Sequence, residues 1–267
     1  MAISNSFSAL TVLLVSFLVL SPHHVNSLSF RFRSFHSYDH NVITFQGDAF
    51  ASHGHLQLTK TIHGVPQPNS AGQASYSAPV RLWDAKTGKL AAFTTSFSFI
   101  VSPSSSSYSS LFGDGISFFI APFSSGIPSN STGGFLGLFS EPTALNSYAN
   151  RIVAVEFDTF GNPWDPKSAH VGVDVNSIAS VKTVSWNVEK GLTGIATISY
   201  DPSEKILSVY VRYPESKVKR SESRLSVNID LRTVMPEWVR VGFSGATGEV
   251  VELHQILAWD FISSDFY

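Results

Sequence analysis

Cysteine is absent from the 267 residues. Disulfides are therefore excluded, and the fold must be held by packing or by bound ions. Charge is scarce as well: Asp, Glu, Lys and Arg make up 14% of the chain, and the formal net charge is −2. That balance points away from nucleic acid and from anionic membrane surfaces as partners. Long apolar runs are missing but for one, Leu10–Leu20, which is about half of the ~20 residues that cross a bilayer. With Val25-Asn26-Ser27 ending in a small residue, it reads as a secretory signal over residues 1–27, although no Lys or Arg precedes it. The expectation is a domain over residues 28–267, without membrane insertion, in the secretory pathway and finally extracellular or vacuolar. No sustained helical period, internal repeat or interdomain linker is present.

What the chain does have is short β-rich runs at intervals of about eight to twelve residues. Val42–Phe45, Leu56–Thr59, Phe93–Val101, Ile116–Ile120, Ile152–Asp158, Val171–Val175, Ile195–Tyr200, Ile206–Arg212, Leu225–Ile229 and Trp238–Phe243 are such runs. Turn residues such as Gln46-Gly47-Asp48, Lys86-Thr87-Gly88 and Asp201-Pro202-Ser203 separate them. The pattern predicts an all-β sandwich or barrel, with a helical turn only within Leu231–Trp238. Ser102–Ser110 reads as a surface loop and Lys217-Val218-Lys219-Arg220 as a solvated hairpin tip, with proteolytic processing there as the other reading.

One stretch carries chemistry. In Val153-Ala154-Val155-Glu156-Phe157-Asp158, strand alternation puts Val153, Val155 and Phe157 on one face, and Glu156, Asp158 and then Phe160 on the other. Two carboxylates roughly 7 Å apart on one face repel unless a cation lies between them. Asn162, Asp165 and His170 follow in a loop that can fold back over that face. Glu156, Asp158, Asp165 and His170 form a mixed oxygen and nitrogen set suited to Mn²⁺. Two Asp, the Asn162 side-chain oxygen and a backbone carbonyl form an all-oxygen set suited to Ca²⁺. Asp158 and Asp165 would then serve both ions. One positive charge is left over, and Asp114 is a candidate to neutralise it.

Arg151–Ser177, reading RIVAVEFDTFGNPWDPKSAHVGVDVNS, resembles the metal-binding core of the legume lectins. Phe112–Phe119 (FGDGISFF), Gly133–Phe139 (GGFLGLF) and Pro236–Gly248 (PEWVRVGFSGATG) resemble three further landmarks of that family, in the family's order. The resemblance implies an antiparallel jelly-roll sandwich with a flat back sheet, a curved front sheet and a site in loops above the front sheet. It implies Mn²⁺ on Glu156, Asp158, Asp165 and His170, and Ca²⁺ on Asp158, the Phe160 carbonyl, Asn162 and Asp165. It also implies sugar contacts from Asp114, Gly134, Phe160 and Asn162, and a homodimer or homotetramer built through the back sheet. A cis peptide is expected before Asp114, where the family usually has Ala and this chain has Gly113.

Those sugar roles make chemical sense. A carboxylate accepts hydroxyl hydrogens, a glycine lets backbone approach, and an aromatic ring covers C–H surface. On their own, Gly113-Asp114-Gly115 and Gly133-Gly134 would read as turns. His53, His55 and His254 read as surface or packing residues rather than ligands, and His36 and His40 carry no recognisable role. After Thr247-Gly248 the segment Glu249–Leu253 is short, as in mannose/glucose binders of the family, and the backbone N–H groups of Glu249 and Val250 are the expected donors. Asn162-Pro163-Trp164-Asp165 has the compact spacing seen among binders of galactose or GalNAc. Loop length is given the greater weight. Asn130-Ser131-Thr132 is the acceptable glycosylation sequon.

The leading expectation is a non-catalytic protein that binds glycans and glycoproteins. A glycosidase needs two free carboxylates, and here the clustered ones are committed to metal. A receptor ectodomain is disfavoured because no transmembrane run follows Trp259. A storage or defence relative that has lost binding is disfavoured by the complete set of site residues.

Overall fold

Alternation builds most of the strands. In the segment Gly194–Asp201, Ala196, Ile198 and Tyr200 are buried while Ile195, Thr197 and Ser199 are partly exposed. Leu207, Val209 and Val211 repeat the pattern in the next segment. A computed structural model describes residues 27–103, 111–218 and 221–266. Residues 1–26 of the expected secretory signal over 1–27, most of the Ser-rich tract, and Lys219-Arg220 of the expected hairpin tip lie outside the described residues.

The strands, in chain order, are β1 (Ser29–Phe32), β2 (Ile43–Gly47), β3 (Phe50–Ser52), β4 (His55–Gln57), β5 (Thr61–Ile62), β6 (Val65–Pro66), β7 (Ser70–Tyr76), β8 (Val80–Arg81) and β9 (Ala91–Pro103). They continue as β10 (Gly115–Pro122), β11 (Val153–Asp158), β12 (His170–Val175), β13 (Lys182–Ser185), β14 (Gly194–Asp201), β15 (Ile206–Arg212), β16 (Glu222–Asn228), β17 (Trp238–Thr247) and β18 (Glu252–Phe266). One sheet has the order β16-β15-β14-β9-β18-β4-β3, with β1 also on β18. The other has the order β13-β12-β11-β10-β17-β7-β2, with β8 also on β17. Pairing is antiparallel throughout, and β1 lies beside the end of β18 with Ser29 opposite Ile262 and Phe32 opposite Trp259. The expected sandwich of two large antiparallel sheets is thus present, with a small β5–β6 hairpin beside it.

An aromatic layer joins the sheets. Phe97 on β9 meets Phe157 on β11 edge-on at 5.7 Å between ring centroids and Phe243 on β17 at 4.8 Å. Trp259 on β18 meets the same Phe243 at 4.8 Å, and its indole N–H donates to Thr95 at 2.9 Å. Edge-to-face pairs at these separations add to the burial term. A second apolar cluster covers the other face of β10 and β11. There Phe119, Ala121 and Ala154 pack against Leu136, Leu138, Phe139, Ala144 and Ile178 from the intervening loops. Central strand β10 is buried on both faces, which explains why it reads GISFFIAP without alternation.

The helical expectation shrinks to Leu231–Val234. The Asp230 carboxylate caps it by accepting from the Arg232 N–H, and Met235 is already extended. The segment expected to be a loop up to Leu253 also differs: β18 begins at Glu252, leaving Gly248–Val251 as the connection.

Candidate functional site

β11 and β12 build a ladder of acids. Asp158 lies opposite His170, Glu156 opposite Gly172 and Ala154 opposite Asp174. Val153, Val155 and Phe157 enter the core between the sheets, so Glu156, Asp158, His170 and Asp174 share the other face. All four are buried, at no more than 1% exposure. A side chain at Gly172 would run into Ser180 and Glu156, so only glycine fits there. The loop then delivers Asp165: its carboxylate accepts from the Asn162 N–H at 2.9 Å, and its own N–H donates to the Asn162 carbonyl at 3.0 Å. The result brings candidate ligand atoms of Glu156, Asp165 and His170 within 4.8 Å of one another.

Electrostatically the cluster is unsatisfied. Burial, and then the charges of Glu156 and Asp165, push Asp158 well above the usual carboxylate range. Burial and Glu156 do the same to Asp174, and Asp165 is pushed up to about 6, mainly by burial. For His170, burial opposes the charged ring, but the hydrogen bond and charge of Glu156 outweigh it and the net shift is upward. The His170 ring contacts the Ser168 carbonyl at 3.3 Å through Nδ1 and Glu156 Oε1 at 3.1 Å through Nε2. A carbonyl can only accept, so Nδ1 carries the proton. In neutral imidazole, Nε2 then turns a lone pair toward a carboxylate. That arrangement needs either an extra proton or a cation between the two. Glu156 Oε2, Asp174 Oδ2, Asn162 Oδ1 and Asp114 Oδ2 are buried without a hydrogen-bond partner, a costly condition unless an ion completes them. The donor set fits a divalent cation.

The sequence reading missed Asp174, Ser180 and Gly172. Ser180 Oγ lies 2.7 Å from both Glu156 Oε1 and Asp174 Oδ1, and its single proton can serve only one of them. The signal was available: the period-two rule that pairs Glu156 with Asp158 also aligns His170, Gly172 and Asp174.

The other predicted site residues converge beside this cluster. Asp114 is 3% exposed and lies between β17 and the end of β11. Its N–H donates to the Ala246 carbonyl at 3.0 Å, and its carbonyl accepts from the Thr159 N–H at 2.9 Å. The Gly113–Asp114 peptide is cis, as expected. Burial and the charge of Glu252 push the Asp114 carboxyl up to about 7, against the opposing hydrogen bond from the Gly248 N–H. Phe160 is placed differently from the expectation. β11 stops at Asp158, so strand alternation does not orient Phe160; the turn does, with its N–H donating to Asp158 at 2.7 Å. A Cβ added to Gly113 would sit 2.8 Å from Phe160 Cβ and 3.3 Å from a Val250 methyl, so Phe160 and Val250 both close on bare backbone. Glu249 is exposed and Val250 half-buried.

The Asn162 amide lies directly over Gly134, inside the space a Cβ would occupy there. Gly134→Ala is therefore expected to displace Asn162 and to reduce glycan binding by at least about tenfold, a hydrogen bond's worth of geometry. The melting temperature should fall by only a few degrees; isothermal titration beside thermal scanning checks both.

A two-sheet sandwich whose clustered acids fit a cation, with one further carboxylate beside them among glycine backbones, has the form of a binding protein. The legume lectin domain matches residues 27–266, and the chain belongs to the legume lectin family, whose members bind carbohydrate. It is similar to Lectin 7 of Medicago truncatula, at 56% identity over 99% of both chains. It is 48% identical to a mannose/glucose-specific lectin of Centrolobium tomentosum over 91% of this chain and 98% of that one. Among solved structures, lectin UEA-II complexed with galactose superposes with a TM-score of 0.80 at 42% identity, covering 89% of this chain and 99% of that one.

Proposed function

We propose that this chain is a secreted, metal-dependent lectin that takes mannose or glucose. The observation that carries the reading is the pair of unpartnered buried oxygens, Asp114 Oδ2 and Asn162 Oδ1, set among Gly133, Gly134 and Gly248 beside Phe160. Glu156, Asp158, Asp165 and His170 would hold Mn²⁺, and Asp158, the Phe160 carbonyl, Asn162 and Asp165 would hold Ca²⁺. Bound cations would neutralise the clustered carboxylates. Asp114 then accepts sugar hydroxyls as a carboxylate, the backbone at Gly134, Glu249 and Val250 and the Asn162 amide donate, and the Phe160 ring covers the sugar's C–H face.

The short Gly248–Val251 connection supports mannose or glucose, and so does the similarity to the Centrolobium lectin. Galactose or GalNAc is the second reading, favoured by the compact Asn162–Asp165 spacing and by the likeness to a lectin complexed with galactose. Methyl mannoside is expected to block binding to immobilised glycoprotein more strongly than galactose does; the reverse order would favour the second reading. Since Glu249 would donate through its backbone, Glu249→Ala should change affinity by less than the ~1.5 kcal/mol typical of a hydrogen bond to a charged group. A two-residue insertion after Val250 should shift preference away from mannose.

Removal of residues 1–27 in the secretory pathway, delivery outside the cell or to a vacuole, and pairing through the β1/β18 sheet into a homodimer or homotetramer complete the proposal. Asn130 would be the glycosylated residue; its side chain is exposed. Among the described residues, no helix is long and apolar enough to cross a membrane.

A further inference from the structure

A second buried polar cluster lies beneath the combining site. Glu252 and His254, the first inward-facing residues of β18, are both 0% exposed. Glu252 Oε1 accepts from the Thr159 hydroxyl at 2.7 Å and contacts His254 Nε2 at 2.9 Å. His254 Nδ1 continues to the buried Thr59 hydroxyl at 3.1 Å, and the His254 carbonyl accepts from the Leu58 N–H at 3.1 Å. The chain of contacts therefore crosses from one sheet to the other and ends at Thr159, the residue after the acid ladder.

The Thr159 hydroxyl also lies 3.0 Å from the Asp114 carbonyl. It has one proton, and a carboxylate is the stronger acceptor, so the proton goes to Glu252. The Thr159 N–H is left to hold the Asp114 carbonyl at 2.9 Å. The connection Gly248–Val251 is thereby pinned at both ends. At one end the Gly248 carbonyl accepts from the Asn69 N–H at 2.9 Å, with Gly248 closed against the Asp114 carboxylate; at the other, Glu252 grips Thr159. A carboxylate and an imidazole sealed in the interior are a poor choice for stability alone, since a packed apolar pair of similar volume serves as well or better.

We propose that Glu252 is a positioning residue for sugar binding: acting through Thr159, it fixes the Asp114 backbone and the Gly248–Val251 connection relative to each other, with His254 and Thr59 bracing it from behind. The proposal rests on the reading of Asp114 as the sugar acceptor.

Four variants of the full chain, loaded with Ca²⁺ and Mn²⁺, test it: Thr159→Val, Thr159→Ser, Glu252→Ala and Asp114→Asn. Affinity for whichever of methyl mannoside and galactose the parent binds is measured beside metal content and melting temperature. The expected result is that Thr159→Val and Glu252→Ala weaken binding by about threefold or more, the equivalent of one net hydrogen bond, with metal content unchanged. Thr159→Ser, which keeps the hydroxyl, binds like the parent. The proposal is overturned if Thr159→Val, or a folded Glu252→Ala, binds with a smaller loss whatever its melting temperature, or if Thr159→Ser is as weak as Thr159→Val. If Glu252→Ala does not fold, the Thr159 pair decides. Should Asp114→Asn bind like the parent, the acceptor assignment itself fails, an outcome distinct from the others.

Discussion

Treatment with a chelator is expected to abolish glycan binding and to lower the melting temperature in the same step. Glu156, Asp158, Asp165 and Asp174 are held close together, the first, second and fourth of them almost fully buried, and two of those carboxylates are shared between the proposed ion positions. An ion present at about 100 times its dissociation constant stabilises by ~2.7 kcal/mol, and in a chain of this size 1 kcal/mol corresponds to about 2–4 °C. Two sites together predict a drop of about 10–20 °C. The metal-free protein should also acquire a characteristic pH dependence. Asp114 and Asp165 have folded-state values of about 7 and about 6 against an ordinary 3.8, and Asp158, Asp174 and His170 are shifted upward too. The folded state therefore binds more protons than the unfolded one across that interval, and stability falls as pH rises. Metal-free protein should melt lower at pH 7.5 than at pH 5, while metal-loaded protein should not lose stability over the same range. Differential scanning with and without EDTA at the two pH values measures this. Unchanged sugar affinity after verified metal removal would refute the dependence.

Asp114→Asn and Asp158→Asn should separate two functions that sit side by side. Asp114 lies beside the acid cluster and contributes to the field at Asp158, but its proposed role as sugar acceptor requires a carboxylate. An amide has one accepting oxygen and must donate from the other position. Losing hydrogen bonds to a charged group costs about 1.5–3 kcal/mol each, so binding should fall by at least about a hundredfold if two hydroxyls are engaged, with both metals retained. Asp158→Asn removes the proposed shared ligand and should lose metal as well as sugar. Elemental analysis paired with titration calorimetry distinguishes the two; equal metal loss in both variants would mean that Asp114 belongs to the ion site.

The parts of this molecule that follow a period were legible in its sequence. β11, β14 and β15 alternate cleanly, and the same alternation placed Glu156 and Asp158 on one face. The segments that escaped are those where burial and polarity disagree. Glu252-Leu253-His254-Gln255 looks like loop because three of its four residues are polar, yet Glu252 and His254 are sealed inside, in contact with each other at 2.9 Å. β7, reading Ser-Ala-Gly-Gln-Ala-Ser-Tyr, has no β-branched residue and is a strand because β17 and β2 flank it. Phe160 lies against Gly113, but strand alternation does not put it there, since β11 ends at Asp158 and a turn follows. Gly172 and Gly134 owe their identity to side chains that reach them across space, Ser180 and Glu156 in one case and Asn162 in the other. A one-dimensional pattern does not contain those contacts.

The antiparallel pairing of β1 with the end of β18 has a practical meaning for handling the protein. β18 starts at Glu252, under the proposed glycan site, and its 15 residues carry the backbone roughly 45–50 Å away at about 3.3 Å per residue. Ser29 lies beside Ile262 near the far end of that strand. Both ends of the described domain thus leave from the pole opposite the combining loops. A tether, a fluorophore or a fusion partner joined at either one would hold the molecule with its glycan-reading surface turned outward, the orientation a sensor chip or a bivalent probe needs.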